Sequence, residues 1–180
     1  MKEYHLNPLI TAEEIASIVK RLADQISKDY AGRELVLVCI LKGAFVFLSD
    51  LIRHLRIPAQ VDFVRLASYG AGMVSCGKIE ITKDVEIPLE KKDVLIIEDI
   101  VDSGRTLQFL KEHLALLNPR SIKVCALLDK KSRREVEVVA DYLGTDVDDF
   151  FVVGYGIDFN EHYRHLPEIY HVTPIESTKE

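Results

Sequence analysis
The sequence predicts an α/β fold, an open, mainly parallel β-sheet with helices on both faces, and three observations carry that expectation. Leu35–Leu41 and Val94–Ile97 are apolar at consecutive positions, as is Ile122–Leu128 apart from Lys123, the pattern of strands covered on both sides. Segments with apolar residues at helical spacing lie between them. Strand and helix signals alternate along the chain, which is the order of βαβ units rather than of segregated layers. The 180 residues, 48% of them hydrophobic, suffice for a single compact domain spanning 1–180, and no repeat, linker or low-complexity tract divides them.

Thr11-Ala-Glu-Glu14 has the form of a capping box, with Ile10 and Ile15 placed as its hydrophobic staple. Ile15, Ile18, Val19, Leu22 and Ile26 continue at helical spacing, so a first helix is expected from Thr11. Gly32-Arg33 ends it ahead of the strand Leu35–Leu41. Lys42-Gly43 then changes the period, and Phe47, Leu48, Leu51, Ile52 and Leu55 mark the inner face of a second helix over 44–55, which stops before Pro58. Val61–Leu66 reads as a strand leading into Ser68–Gly77, where three glycines and two serines within ten residues predict a mobile loop. Ile79–Thr82 reads as a strand and Pro88 as a turn. The buried strand Val94–Ile97 is followed by Glu98-Asp-Ile-Val-Asp-Ser-Gly-Arg-Thr106, and Leu107, Leu110, Leu114 and Leu117 mark a third helix stopped by Asn118-Pro119. After the strand Ile122–Leu128, short β-like runs including Phe150–Val153 alternate with turns. In such sheets ligands bind beyond the carboxyl ends of the strands, which makes the loops after Leu41, Leu66, Ile97 and Leu128 the candidate site.

Composition narrows the partners. With 23 Lys and Arg against 29 Asp and Glu the formal charge is −6, so no global positive field is available to hold a nucleic-acid backbone or an anionic membrane. Neither partner is expected, and an anionic ligand must be met by a local pocket. The first ten residues lack a basic start followed by an apolar run, and no apolar stretch approaches the roughly 18–20 residues that span a bilayer. Cys39, Cys76 and Cys125 are odd in number and form no CxxC pair, which points to reduced thiols in the cytoplasm and no structural disulfide.

The stretch from Val94 to Leu107 carries the chemistry. An apolar strand delivers Glu98 and Asp99 to the sheet edge, Asp102 follows, and Ser103-Gly-Arg-Thr106 opens a helix. Unpaired N–H groups at that helix start, with the hydroxyls of Ser103 and Thr106, suit a phosphate monoester, and Gly104 lets the backbone approach it. Glu98 and Asp99 are wrong for phosphate but right as acceptors for vicinal sugar hydroxyls, or for Mg²⁺ shared with that sugar. The joint signature is a phosphorylated sugar. The competing reading is an N-capped helix after a buried strand, with surface acids placed by the helix dipole. His162 and His165 have no nearby Cys or third His, which argues against zinc. There is no Walker A sequence, and the two glycine clusters at Gly70 and Gly154 lack the last glycine of a dinucleotide fingerprint.

The thirteen-residue run Val94–Thr106 resembles the 5-phosphoribosyl 1-pyrophosphate (PRPP) signature of the type I phosphoribosyltransferases. Leu41-Lys-Gly43, Ser68-Tyr-Gly70, Leu127-Leu-Asp-Lys130 and Phe151-Val-Val-Gly-Tyr-Gly-Ile-Asp158 through Arg164 resemble the 6-oxopurine branch of that family, closest to its bacterial hypoxanthine phosphoribosyltransferases, in the same order over roughly 35–171. The resemblance implies the type I fold with a small hood formed by the terminal segments. It implies that Glu98, Asp99, Ile100, Val101, Asp102, Ser103, Gly104, Arg105 and Thr106 bind PRPP, the last four taking its 5′-phosphate, and that Asp102 is the general base near purine N7. Lys42, Gly43 and Arg164 would meet pyrophosphate, with a cis Leu41–Lys42 peptide. Lys130, Phe151, Val152 and Asp158 would hold the purine, Phe151 by stacking and Val152 through its backbone. Ser68 and Tyr69 would belong to a lid. Glu98, Asp99 and Asp158 would carry Mg²⁺, and a homodimer or homotetramer is implied.

Each role has a plainer competitor. Lys130 opens a basic run, Lys130-Lys-Ser-Arg-Arg134, that by itself describes a solvated loop; Phe151 beside Phe150 would by default be core, Asp158 a turn residue and Arg164 a surface cation. The reaction implied is displacement of pyrophosphate from C1 of PRPP by a purine nitrogen, which asks the site to stabilise a departing polyanion and to shield an oxocarbenium-like centre. Lys130 is donor-only, so it pairs with a 6-oxo group and leaves adenine's amino group facing another donor. Hypoxanthine and guanine are the expected substrates. Two alternatives are a non-catalytic PRPP-sensing regulator of the same fold, for which the chain shows no basic surface or added DNA-binding domain, and a phosphoacceptor domain, whose acids should open the chain rather than follow it by about ninety residues.

Overall fold
The fold is described from a computed structural model over residues 4–69 and 78–174. In chain order the elements are β1 (Tyr4–Ile10), α1 (Ala12–Asp29), β2 (Leu35–Leu41), α2 (Phe45–His54), β3 (Ala59–Tyr69), β4 (Lys78–Lys83), β5 (Asp93–Val101), α3 (Arg105–Ala115), β6 (Ser121–Asp129), β7 (Tyr142–Asp146), β8 (Val152–Val153) and β9 (Ile169–Pro174), with a 3₁₀ turn at Lys131–Arg133. The capping box forms as the sequence predicts. Thr11 Oγ1 accepts from Glu14 N–H at 3.2 Å, and the Glu14 carboxylate accepts from Thr11 N–H at 2.8 Å.

The main sheet has the order β4-β3-β2-β5-β6-β7. β3, β2, β5, β6 and β7 run parallel, and β4 closes one edge antiparallel to β3. Consecutive apolar residues are needed because the sheet is covered twice, and the side chains of each strand alternate between the two layers. Leu35, Leu37, Cys39, Leu95, Ile97, Cys125 and Leu127 pack under α1 and α2. Val36, Val38, Ile40, Val94, Ile96, Val124 and Ala126 pack under α3. From β2 the chain moves to β3 on one side, and it later returns through β5 to build β6 and β7 on the other. The switch point of this doubly wound sheet therefore lies between the carboxyl ends of β2 and β5, where open α/β sheets bind ligands.

β1, β9 and β8 form a second, antiparallel sheet, the expected hood from the terminal segments, although β8 adds a strand from just after β7. Ile10, Val152, Tyr155, Ile157 and Ile169 belong to the same core as α1 and α2, so the hood is seated on the main sheet by apolar packing. No helix among the described residues is long and apolar enough to cross a membrane. Cys39 and Cys125 are buried and unpaired; burial pushes both thiols up, and Glu98 and Asp99 add to the effect at Cys39. Cys76 lies outside the described residues.

Several boundaries differ from the sequence reading. β5 does not stop at Ile97 but pairs with β6 through Glu98↔Ala126, Ile100↔Leu128 and Val101↔Asp129, because ladder hydrogen bonds come from the backbone and are indifferent to the acids on it. Ser68 and Tyr69, expected in a mobile loop, are the last residues of β3, opposite Ile79 and Lys78 of β4. The rest of that glycine-rich segment lies outside the described residues. Ile52 is 39% exposed because only Phe47, Leu48 and Leu51 of α2 reach the sheet. α3 ends at Ala115, which leaves Leu117 beyond the helical repeat and at the surface.

Candidate active site
The switch point gathers the residues at the ends of β2 and β5. The Leu41–Lys42 peptide is cis, and Gly43 follows directly. A Cβ on Gly43 would collide with the Asp99 carboxylate, so any larger residue there would have to displace that carboxylate or the β2 loop. One oxygen of Glu98, Oε2, is sealed from solvent without a hydrogen-bond partner, whereas Asp99 Oδ1 accepts from Ile100 N–H at 2.9 Å. Burial, and then the neighbouring Asp99 carboxylate, pushes the Glu98 carboxyl well above its ordinary range. Burial also raises Asp99, against the opposing pull of the Ile100 N–H and Arg164. Two adjacent half-buried acids whose ionisation is disfavoured form a set of hard oxygen donors for which a cation or sugar hydroxyls are the natural partners.

Asp102 to Thr106 form the next wall. Gly104 is the N-cap of α3 with φ +86° and has no side chain to cap the helix, so beyond Arg105 N–H, which donates to Ser103 Oγ, the first-turn N–H groups are left for an external acceptor. Asp102, Ser103, Gly104 and Thr106, with Glu98, Ile100, Val101 and Leu107, line a cavity of about 210 Å³. Ser103 Oγ is 3.4 Å from Arg105 N–H, and the Arg105 side chain turns outward to Glu135. Asp102 Oδ1 accepts no aligned hydrogen bond, but Arg133 Nε lies 3.1 Å from it.

The base-side residues come from the end of β6 and from the hood. Lys130, which the resemblance assigns to the purine and which its basic run alone would leave solvated, is 8% exposed, and its backbone N–H donates to Val101 O at 2.9 Å. No carboxylate pairs with its ammonium group among the described residues. Of the two phenylalanines, Phe150 stacks on His171 with centroids 4.3 Å apart, whereas Phe151 is 50% exposed and touches Phe159 edge-on. Val152 is buried in β8.

Arg164 is half of a dense charged knot. Its guanidinium donates to Gly156 O at 2.8 Å and lies 2.7 Å from Asp158 Oδ1 and 3.1 Å from Glu161 Oε2. Lys42 Nζ lies 2.9 Å from Glu161 Oε1, so the two cations expected to meet one ligand are brought together although they stand at opposite ends of the chain. Lys42 and then Arg164 hold the Glu161 carboxyl below its ordinary range. Asp158 is engaged with Arg164 and the Glu161 N–H, and among the described residues it does not join Glu98 and Asp99 in one metal-binding cluster.

Sequence reasoning missed Arg134. Its side chain is 17% exposed, pairs with the buried Asp129, and donates to Asp102 O at 3.1 Å. Glu135 N–H and Val136 N–H both donate to Ser103 O, so the segment after Lys130 is stitched to the phosphate loop. The spacing Asp129 to Arg134 was visible, but nothing local distinguishes a half-buried Arg134 from the exposed Lys131 and Arg133 beside it.

A family model described as phosphoribosyl transferase domain matches residues 9–160. The chain is 46% identical over 163 residues to the hypoxanthine phosphoribosyltransferase of Salmonella typhimurium, covering 89% of this chain and 92% of that protein. It is 44% identical over 161 residues to the hypoxanthine-guanine phosphoribosyltransferase of Streptococcus thermophilus, covering 89% of each. Its fold superposes on the crystal structure of a hypoxanthine phosphoribosyltransferase from Staphylococcus aureus with a TM-score of 0.89 and 44% identity, over 93% of this chain and 91% of that one.

Proposed function
The chain belongs to the phosphoribosyl transferase domain family, and from that premise we propose that it is a purine-salvage enzyme that transfers the 5-phosphoribosyl group of PRPP to hypoxanthine or guanine, giving IMP or GMP and pyrophosphate. One observation carries the reading: Glu98 from the paired acids of β5, Asp102 and the start of α3 line one cavity at the carboxyl end of β5, a ribose and phosphate cradle at the sheet's ligand edge. The names of the relatives favour catalysis over a PRPP-sensing regulator.

The roles follow from donor and acceptor chemistry. The α3 N–H groups, Ser103 and Thr106 take the 5′-phosphate. Glu98 and Asp99 accept from the ribose hydroxyls, and they fit Mg²⁺ because one Glu98 oxygen is sealed without a partner beside a second hard carboxyl donor. When bound, the ion supplies charge neutralisation for the polyanionic substrate. Lys42 and Arg164 receive the departing pyrophosphate, with Asp158 serving a second Mg²⁺ at the same end. Asp102 takes the purine proton as positive charge builds on the ring, Phe151 stacks on the base, and Val152 meets its edge through the backbone. Lys130 donates to the 6-oxo group, and the strand end Ser68–Tyr69 begins a lid that excludes water. The protein acts as one cytoplasmic domain in a homodimer or homotetramer.

The test is pyrophosphate release from PRPP with hypoxanthine, guanine, xanthine and adenine, with and without Mg²⁺. Turnover is expected with the first two bases and only with the metal. Robust adenine turnover contradicts the Lys130 assignment, and no turnover with any base refutes the enzyme reading.

A further inference from the structure
The two cations assigned to pyrophosphate are already bridged by a carboxylate. Lys42 Nζ lies 2.9 Å from Glu161 Oε1 and Arg164 Nη2 lies 3.1 Å from Glu161 Oε2, so each oxygen of one anion faces one cation. A phosphate group placed between them would make the same bridge. With Asp158 at 2.7 Å from Arg164, the subsite holds two positive and two negative charges and is neutral as it stands. A pyrophosphate that merely joined this arrangement would gain little, because its counter-charges are spent.

Of the two acids, Glu161 is the one free to leave. The second oxygen of Asp158 is tied down by the Glu161 N–H at 2.8 Å, and its side chain is 30% exposed. The Glu161 side chain is 64% exposed, and a cavity of about 460 Å³ lined by Glu161, His162, Tyr163, Arg164 and His165 adjoins it. Exposed ion pairs are individually weak, whereas a polyanion that meets both cations and brings Mg²⁺ has more charge to offer. The backbone of the turn stays fixed by Asp158 and by the Phe159–His162 bridge, so departure requires only side-chain rotation.

We propose that Glu161 is a positioning residue that stands in for pyrophosphate: between turnovers it holds Lys42 and Arg164 together, it swings out when PRPP enters, and it returns to compete with the product. The proposal rests on the assignment of Lys42 and Arg164 to the leaving group. It has a signed consequence that a merely structural ion pair lacks, because removing the charge should strengthen the binding of pyrophosphate rather than weaken it.

The experiment uses the full chain, inorganic pyrophosphate as probe, and saturating Mg²⁺. Glu161→Gln and Glu161→Ala are compared with the parent for product inhibition against PRPP and for the KM of pyrophosphate in the reverse reaction. Pyrophosphate is expected to bind about threefold to tenfold more tightly in both variants, the scale set by one or two exposed ion pairs, with the KM for hypoxanthine unchanged. Unchanged or weaker pyrophosphate binding overturns the proposal; weaker binding would mark Glu161 as part of the ligand shell instead. Lys42→Met separates the two levels of inference. If it leaves pyrophosphate binding intact, the assignment of the cations has failed, whereas if it weakens binding and Glu161→Gln does not strengthen it, the stand-in role alone has failed.

Discussion

Asp102 Oδ1 makes no aligned hydrogen bond, and the Arg133 guanidinium that faces it is itself 53% exposed and shared with Asp149. The carboxylate is therefore not saturated by hydrogen-bond donors, while its main-chain carbonyl is held by the half-buried Arg134. We expect Asp102→Asn, which preserves shape and removes the proton acceptor, to lower kcat by about 10²–10⁴-fold while leaving the KM for PRPP nearly unchanged. Steady-state kinetics at saturating hypoxanthine decide it, and equal losses in kcat and PRPP affinity would remove the general-base role. At this scale the sequence showed residue types and order. It did not show that Lys130 is buried while Lys131 is exposed, since both lie in the same basic run.

The elements divide the work between strand ends and the loops that follow them. β2 brings Gly43 onto the Asp99 carboxylate, and β5 turns through Gly104 into α3, where a Cβ would come within 2.9 Å of Val136 O at φ +86°. Both glycines are places where a loop must pass close to another element. Gly43→Ala would push the β2 loop off the acids, and a displacement of this size at a reacting centre costs about 10²-fold in kcat/KM. The expected pattern is lost activity with little change in thermal stability, because the β2 ladder itself remains intact; wild-type kinetics in the alanine variant would show that the close approach is dispensable. The helices and central strands were legible from periodicity, but the ends of β3 and β5 were not. Polar residues conceal a strand end from a reading based on hydrophobicity, although the backbone pairing of Glu98 with Ala126 and of Tyr69 with Lys78 continues regardless.

Over the whole molecule, the anionic substrate is met by a chain of formal charge −6, so binding must come from local geometry rather than from a global field. A ligand that binds only the folded state stabilises it by about 2.7 kcal/mol at a hundred times its Kd. PRPP with Mg²⁺ should accordingly raise Tm, and removal of the metal with EDTA should abolish turnover and most of that shift. An equal shift with and without metal, read by differential scanning fluorimetry, would exclude Glu98 and Asp99 as partners of a bound cation. The sequence by itself determined the alternation of strands and helices, the capping box of α1, and the order of the PRPP and purine motifs, because periodicity, caps and contiguous loops are local properties of the chain. Only the tertiary structure decided that β2 and β5 meet at the switch point, that Arg134 is half-buried against Asp129, and that Lys42 is joined to Arg164 through Glu161. That last contact spans 119 residues of chain, and no local pattern encodes it, since it exists only once the sheet has brought its two halves together.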